Sequence, residues 1–488
     1  MSSRPDVPGL ARRPVFSAML AVAAVLTVTS GGYGYHRDEL YFRLLEAGWG
    51  YVDEPPLTPL LARLTTLIAD EPWALRIPAT LATVASVLVV VLITRELGGG
   101  RRAQALCAWA YAFASLPLIM GHVLLTSTLD LLVWPAVLLF VVRSQMRQEP
   151  RWWLAAGAVV GVSMYNKLLV AVLLAALAAG VLLVGPRSLL QSKWVWGAAA
   201  LAVVIGAPNL IYQATHDWPQ LAMGRALADN NAGEVRTQMW PFLLLLLGPP
   251  LVPIWVAGLV GLFRRPEWRP VRFVAAAFPV LLLLVCVMGS QIYYPAGLLA
   301  ALFAAGCVPA TRWLARHPAG IAGVALNAVV SLVIGLPLIP LGALGGTPVP
   351  DINQVARDTV GWPEYVQQVA GVHATLPAAD RQQAVIVTSN YGEAGAVARY
   401  GGRYRLPAVY SGQNQLYYQG RPPDLARVVV FVGAQYRLAS RLFASCTVAA
   451  RLDNGVDVDN EEQGEPITVC RDPIGGWATV WPALKHLD

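Results

Sequence analysis

The sequence predicts an α-helical polytopic membrane protein of about eleven transmembrane helices, followed by a C-terminal extracytoplasmic α/β domain. Three observations predict it. First, of 488 residues 56% are hydrophobic and only 13% are charged, with a mean hydropathy of +0.52, whereas soluble domains carry roughly 25% charged residues. Second, apolar stretches recur from residue 15 to residue 340, separated by short loops that are alternately basic and not basic. Third, polar content rises after residue 350, and two short valine-rich runs appear there.

A span needs about 20 apolar residues, fewer where the helix is short or partly buried. The stretches that approach this are 15–32, 73–94, 104–119, 130–143, 152–165, 168–185, 195–212, 241–262, 273–289, 298–310 and 319–340. The Leu243–Leu247 run belongs to one of them. The expected division is a membrane domain over 1–345, with a first outer loop over 33–72, and an outer domain over 346–488.

The loops give the orientation. One set is basic: Arg4/Arg12/Arg13, Arg95/Arg101/Arg102, Arg143/Arg147/Arg151, Arg187/Lys193, Arg264/Arg265/Arg269/Arg272 and Arg312/Arg316. The alternate set is 33–72, 120–129, 166–167, 213–240, 290–297 and everything after 341. Positive loops stay in the cytoplasm. Strict alternation therefore predicts a cytoplasmic N-terminus, an odd number of spans and an outer C-terminal domain at the cell (plasma) membrane. The run from Val15 to Ser30 ends in Gly31-Gly32-Tyr33 with no A-x-A site there and reads as a retained first span.

The net charge of +7 is spread over these loops. No basic stripe with interleaved aromatics exists, so nucleic acid is not an expected partner. Cys107, Cys286 and Cys307 lie in or beside apolar runs and read as small core residues. Cys446 and Cys470 lie in the polar last third, and a disulfide between them is expected if that third is outside the cell. No CxxC metal pair exists, and no metal site is assigned.

In the last third, Ala384–Thr388 and Val428–Val432 read as buried strands, and Glu393–Tyr400 as a helix after the first. About 140 residues suffice to bury a core. Gly392 and Gly395 fit a strand-to-helix turn, but G-x-G-x-x-G and GK[ST] are absent, so this is no phosphate loop. There is no internal repeat and no low-complexity tract.

The first outer loop carries the densest chemistry. It contains Tyr35-His36-Arg37-Asp38-Glu39-Leu40-Tyr41-Phe42 and Gly50-Tyr51-Val52-Asp53-Glu54-Pro55-Pro56-Leu57, with Glu46 between the two acidic pairs. Leu57, Leu60, Leu61, Leu64 and Ile68 then recur at helical spacing among Thr58, Arg63 and Thr66, an amphipathic helix suited to the membrane interface. A carboxylate close behind a span has apolar neighbours that raise its pKa towards that of a useful base. The alternative is that these acids form a solvated loop face.

Four further features stand out. Asp130 opens an apolar helix, either as a cap or dipole partner or as a functional ionisable group at membrane depth. Lys167, in Tyr165-Asn166-Lys167-Leu168, sits between two apolar runs with no room for a loop. It either meets an anion, for which a lipid phosphate is the natural candidate, or snorkels. Tyr293 and Tyr294, in Gln291–Pro295, form a polar aromatic set or part of an interfacial belt. In the 213–240 loop, His216, Asp217, Arg225 and Arg236 are candidates for acceptor or phosphate contacts.

With these residues in view, the chain resembles the membrane glycosyltransferases of the GT-C fold, and among them the protein O-mannosyltransferases and lipid A aminoarabinose transferases, in a bacterial branch. The resemblance covers roughly 15–340. It rests on Asp38-Glu39 after the first span, the interfacial helix behind it, Asp130 and the span outline. It implies a polyprenyl-phosphate sugar as donor, hexosyl or pentosyl transfer, and inversion at the anomeric carbon. By position, Asp38 matches the family's first-loop catalytic acid and Glu39 accompanies it. Asp130 matches the second functional acid, and Lys167 looks like a phosphate-binding lysine, with Arg225, Tyr293 and Tyr294 as further donor-phosphate contacts. His36, Asp53, Glu54 and His216 are left to hold the acceptor or shape the site. A divalent cation on Asp38, Glu39 and Asp130 stays open, because oligosaccharyltransferases of this fold hold one on carboxylates.

The expected function is transfer of a sugar to a cell-envelope glycan, a lipid or a protein at the outer face. Protein O-mannosyltransferases carry a different outer domain between spans, absent here, so the acceptor stays open. The C-terminal stretch Thr388–Ala396 with Ser411–Asn414 resembles the tail of bacterial relatives. Its domain either binds acceptor or covers the site. The alternatives are a lipid-linked-sugar transporter or flippase, which wants charged or broken helices near mid-membrane, and a non-catalytic envelope assembly protein.

Overall fold

The computed structural model describes residues 7–289 and 291–488. Arg4, one of the basic-loop residues, lies outside them. The chain forms two compact units. One holds the chain up to Ser30, Glu54–Leu57 and Arg76–Leu336; the other holds Gly31–Asp53, Thr58–Leu75 and Pro337–Asp488. The chain enters the second unit for the last time at Pro337, nine residues before the expected boundary at 345/346. The first loop, which the sequence reading assigned to the membrane domain, instead packs largely with the C-terminal residues. Its helix Arg37–Leu44 offers a surface that an α/β core can bury.

The first unit is helical, and nine of the eleven expected spans fall on single helices in it, while 104–119 and 241–262 are each interrupted. Among the described residues seven helices are long and apolar enough to cross a membrane: Arg12–Thr29, Pro72–Glu96, Thr126–Arg147, Lys193–Thr215, Pro266–Met288, Ala296–Leu314 and Pro318–Gly335. Two further pairs qualify only together. Arg101–Ala112 with Ser115–Gly121 is bent by 54°, and Pro219–Leu245 with Pro249–Arg264 by 75°, so the count rises to nine. Trp152–Ser163 and Val170–Val184 are shorter apolar helices, which is why the expected eleven exceeds nine. The second bend has a local cause. Gly248 takes φ +101°, and Pro249-Pro250 follows, so no helix can continue through it.

The expected outer loop 213–240 is largely helix, since Pro219–Leu245 runs unbroken for 27 residues. Pro219 starts it at a position where its missing N–H is harmless.

Small residues let the helices touch. A Cβ on Gly306 would lie 1.8 Å from the Ile254 carbonyl oxygen, and one on Gly258 1.9 Å from that of Leu302, so the helices Val252–Arg264 and Ala296–Leu314 meet backbone to backbone. At the basic ends, Glu96 is buried and accepts from Arg143 Nε at 2.9 Å and from Arg147 Nε at 2.7 Å. Two arginines of the basic loops thus neutralise a buried acid at a helix end.

The second unit is built on a five-stranded mixed sheet in the order β2-β1-β3-β5-β4. Its strands are β1 (Ala384–Thr388), β2 (Val409–Ser411), β3 (Val428–Val432), β4 (Phe443–Arg451) and β5 (Pro466–Pro473). β1 is parallel to β2 and β3, while β5 is antiparallel to β3 and β4. β1 and β3 are the two strands legible in sequence, and every residue in both is buried. β4 exposes most of its side chains, so no apolar run marks it. Cys446 and Cys470 face each other across β4 and β5 and are joined by a disulfide.

The helix Leu57–Thr66 turns its large side chains outward. Leu60, Leu64, Leu67 and Ile68, the last two just beyond the helix, are 48–81% exposed, while Thr58, Ala62 and Thr65 are buried. This inverts the polarity of a helix in water and suits a face covered by lipid.

Candidate active site

Two constellations of polar side chains stand out, one in each unit. The first begins at the helix Arg37–Leu44, whose start is a capping box. The His36 ring Nδ1 accepts from the Asp38 N–H at 3.1 Å, and Glu39 Oε2 accepts from the His36 N–H at 2.9 Å. Such reciprocal capping satisfies two backbone donors that a helix start leaves open. Glu39 is wholly buried, and one of its oxygens is engaged in the cap. Asp38 is differently placed. Its side chain is 29% exposed, and Oδ1 accepts from the Tyr391 hydroxyl at 2.9 Å.

Tyr391 opens the helix Tyr391–Tyr400 immediately after β1, with Asn390 as cap. The two helices approach closely because two glycines allow it. A Cβ on Gly395 would lie 2.6 Å from Leu40 Cβ and 2.8 Å from the Leu40 carbonyl oxygen, and one on Gly392 2.9 Å from Arg37 Cβ. The glycines read from sequence as turn residues therefore serve a close helix contact. The Tyr391 ring is held by the Arg37 guanidinium, 4.9 Å from its centroid, and by the Tyr41 ring at 4.7 Å. Its N–H donates to Gln413 Oε1 at 2.7 Å. Arg37 in turn pairs with Glu461.

Asp53 belongs to the same unit. Its Oδ1 accepts from the Tyr41 hydroxyl at 3.0 Å, and the Tyr41 hydroxyl oxygen in turn accepts from the Gln415 N–H at 3.2 Å. Burial pushes the Asp53 carboxyl up to about 7; the Tyr41 hydrogen bond opposes this, and the nearby Asp38 charge adds to it. Glu54, the next residue, is buried in the first unit.

The second constellation lies in the first unit. The turn between Trp152–Ser163 and Val170–Val184 presents Asn166 and Lys167. Asn166 Nδ2 donates to the Thr126 carbonyl at 2.8 Å and to Asp130 Oδ1 at 3.3 Å. Lys167 Nζ sits 4.8 Å from the Tyr294 ring centroid, and Tyr293 stands edge-on to Tyr294 with centroids 5.4 Å apart. Asp130, Tyr293 and Tyr294 line a small pocket with Ser127, Trp134 and Gly297. The arrangement offers an anion a lysine ammonium and tyrosine hydroxyls beside a carboxylate.

Arg225 and His216 do not join that pocket. Arg225 is exposed on the long helix Pro219–Leu245, because the expected loop is helical there. His216 stacks on Tyr212 with centroids 4.0 Å apart, and its ring Nδ1 lies 2.9 Å from the Tyr212 carbonyl oxygen. Among the described residues no group of three or more His, Cys, Asp and Glu side chains is placed to hold a metal ion.

Three contributors carried no sequence signal of their role. Tyr391 is 353 residues from its partner Asp38. Tyr41 and Asn166 lie within motifs already singled out, but only the fold shows what they touch.

Residues 53–212 match the family model for dolichyl-phosphate-mannose-protein mannosyltransferases. No curated protein matches the chain by sequence. Among solved structures, ArnT from Cupriavidus metallidurans bound to undecaprenyl phosphate is similar at 14% identity, with 93% of this chain and 97% of that chain covered and a TM-score of 0.60. Its apo state is similar at 15% identity with the same coverage and TM-score. The Archaeoglobus fulgidus oligosaccharyltransferase tethered to an acceptor peptide is a looser likeness. Its identity is 13%, its coverage 89% of this chain and 67% of that chain, and its TM-score 0.49; that value is too low to support an argument. At these identities the likeness to ArnT is one of fold. The chain is thus a helical multi-pass membrane protein with the ArnT fold, and residues 53–212 of it resemble the dolichyl-phosphate-mannose-protein mannosyltransferases.

Proposed function

We propose that the protein is an inverting glycosyltransferase. It moves a hexosyl or pentosyl group from a polyprenyl-phosphate donor to a cell-envelope glycan, lipid or protein hydroxyl at the outer face of the plasma membrane. In this reading the N-terminus is cytoplasmic, and the sheet domain with its Cys446–Cys470 bridge is extracytoplasmic, where disulfides persist.

Asp38 is the general base. It takes the acceptor's hydroxyl proton as the acceptor oxygen bonds to the anomeric carbon. The bond from that carbon to the phosphate oxygen breaks in the same displacement, and polyprenyl phosphate leaves with the electron pair. A base in contact with its hydroxyl contributes typically 10²–10⁴-fold. Lys167 neutralises the phosphate as charge develops, with Tyr293 and Tyr294 beside it and Arg225 as an outlying cation. Asp130 orients the substrate or holds Lys167 in place. Glu39 supports the base by capping its helix, and His36, Asp53 and Glu54 shape the loop.

One observation carries the reading. A partly exposed carboxylate, Asp38, accepts a hydrogen bond from a fixed phenol in a chain that has the ArnT fold, and ArnT has been seen with undecaprenyl phosphate bound.

The test is mass-spectrometric. Purified protein in detergent is incubated with a panel of polyprenyl-phosphate sugars and candidate acceptors, and release of free polyprenyl phosphate is followed. Turnover of one donor, lost in Asp38→Asn while lipid binding persists, is the expected result. Equal turnover in Asp38→Asn removes Asp38 from the mechanism. Tight lipid binding with transport across vesicles and no turnover replaces the enzyme by a flippase.

A further inference from the structure

We infer that Tyr391 is a positioning residue for the Asp38 carboxylate, and that the C-terminal α/β fold thereby completes the catalytic base. The inference deepens the reading above and rests on it for the role of Asp38.

Asp38 is the second residue of an eight-residue helix. Its backbone N–H is held by the His36 ring, but its carboxylate is free to rotate about two side-chain bonds. A general base must hold one oxygen within reach of the proton it takes. The Tyr391 hydroxyl supplies the missing constraint by donating to Oδ1 at 2.9 Å, which leaves Oδ2 for the acceptor.

The phenol's own position is over-determined. The Arg37 guanidinium covers its ring, Tyr41 packs beside it and Gln413 holds its N–H. Gly392 and Gly395 bring its helix against Arg37 and Leu40. Together these contacts fix the ring that carries the hydroxyl.

During transfer Tyr391 keeps its own proton. The acceptor's proton goes to Oδ2, and the leaving phosphate takes the electron pair of the broken bond. The other charged or titratable groups around the pair are His36, Arg37, Tyr41, Asp53 and Glu461.

Two measurements on the full-length protein test this. The first needs no substrate: the rate of carbodiimide labelling of Asp38 at one fixed pH, read by peptide mass spectrometry. Tyr391→Phe removes the donor that occupies Oδ1, and labelling becomes faster than in wild type. Placing 3-fluorotyrosine at 391, a stronger donor of the same shape, slows labelling and keeps the test valid if the Phe variant folds poorly. A rate equal to wild type in the variant that folds overturns the inference.

The second uses a donor that wild type turns over. Tyr391→Phe lowers kcat about 10-fold, the order expected for losing a hydrogen bond to a charged group, with little change in KM. A raised KM at unchanged kcat overturns the positioning role. If wild type turns over no polyprenyl-phosphate sugar, the functional reading fails by itself, while the labelling rates still decide whether Tyr391 governs Asp38.

Discussion

Asn166 reaches across from the turn between two short helices to hold Asp130, its Nδ2 lying 3.3 Å from Asp130 Oδ1. The same nitrogen binds the Thr126 carbonyl at 2.8 Å, so one amide ties the start of Thr126–Arg147 to the turn that carries Lys167. The lysine is therefore presented by a braced backbone and faces Tyr294. A snorkelling lysine needs no such bracing.

Lys167→Ala is therefore expected to weaken binding of a polyprenyl-phosphate donor by about 10- to 100-fold, the range for losing a charge-assisted contact. Asn166→Ala, which removes only the brace, weakens it less. Titrating the lipid against each variant by native mass spectrometry checks both. An unchanged Kd in Lys167→Ala would leave the lysine with a purely interfacial role.

Asp53 makes stability depend on pH. Its folded-state carboxyl is pushed up to about 7, above the roughly 3.9 of an unfolded aspartate. Between these values the folded state binds more protons than the unfolded one, so stability falls as pH rises from roughly 4 to 7. Asp53→Asn keeps an acceptor for the Tyr41 hydroxyl and removes the titration. Its thermal midpoint is expected to vary less over that window than that of wild type. Parallel curves for the two proteins would contradict the assignment.

The close contact between Tyr391–Tyr400 and Arg37–Leu44 predicts intolerance at Gly395. Gly395→Val drives side-chain atoms into the Leu40 backbone and is expected to cost about 1–3 kcal/mol, as overpacking does. Gly402→Ala, at a site with nothing within 4 Å, serves as control and is expected to stay near wild type. Denaturant unfolding of the two variants makes the comparison.

The Cys446–Cys470 bridge closes a segment with a sequence separation of 24. Replacing both cysteines by serine is expected to destabilise the sheet domain by about 3 kcal/mol, from the chain entropy released in the unfolded state. In the native protein neither thiol reacts with maleimide until it is reduced. Labelling of both without reductant would show that they are not paired.

Much of this architecture was legible in the chain. Hydropathy depends on composition along a window, so every expected span falls on helix, though 104–119 and 241–262 are each broken by a bend, and the buried strands β1 and β3 announce themselves through unbroken apolar runs. Asp38, Asp130 and Lys167 stood out because a charge beside an apolar run is costly and so conspicuous. What the chain did not reveal depends on contacts between distant segments. The edge strand β4 lacks an apolar run because most of it faces solvent. The 213–240 segment reads as a loop by polarity, yet forms most of a 27-residue helix. The glycines at 392 and 395 look like turn residues until Leu40 and Arg37 are seen against them. Local sequence thus determined which segments form apolar helices and which acids are candidates for chemistry, because hydropathy and the cost of a charge are properties of short windows. Only the tertiary structure decided that Tyr391 holds Asp38 and Asn166 holds Asp130, because a hydrogen bond needs two atoms within about 3 Å and the chain sets no such distance between residues 353 or even 36 positions apart.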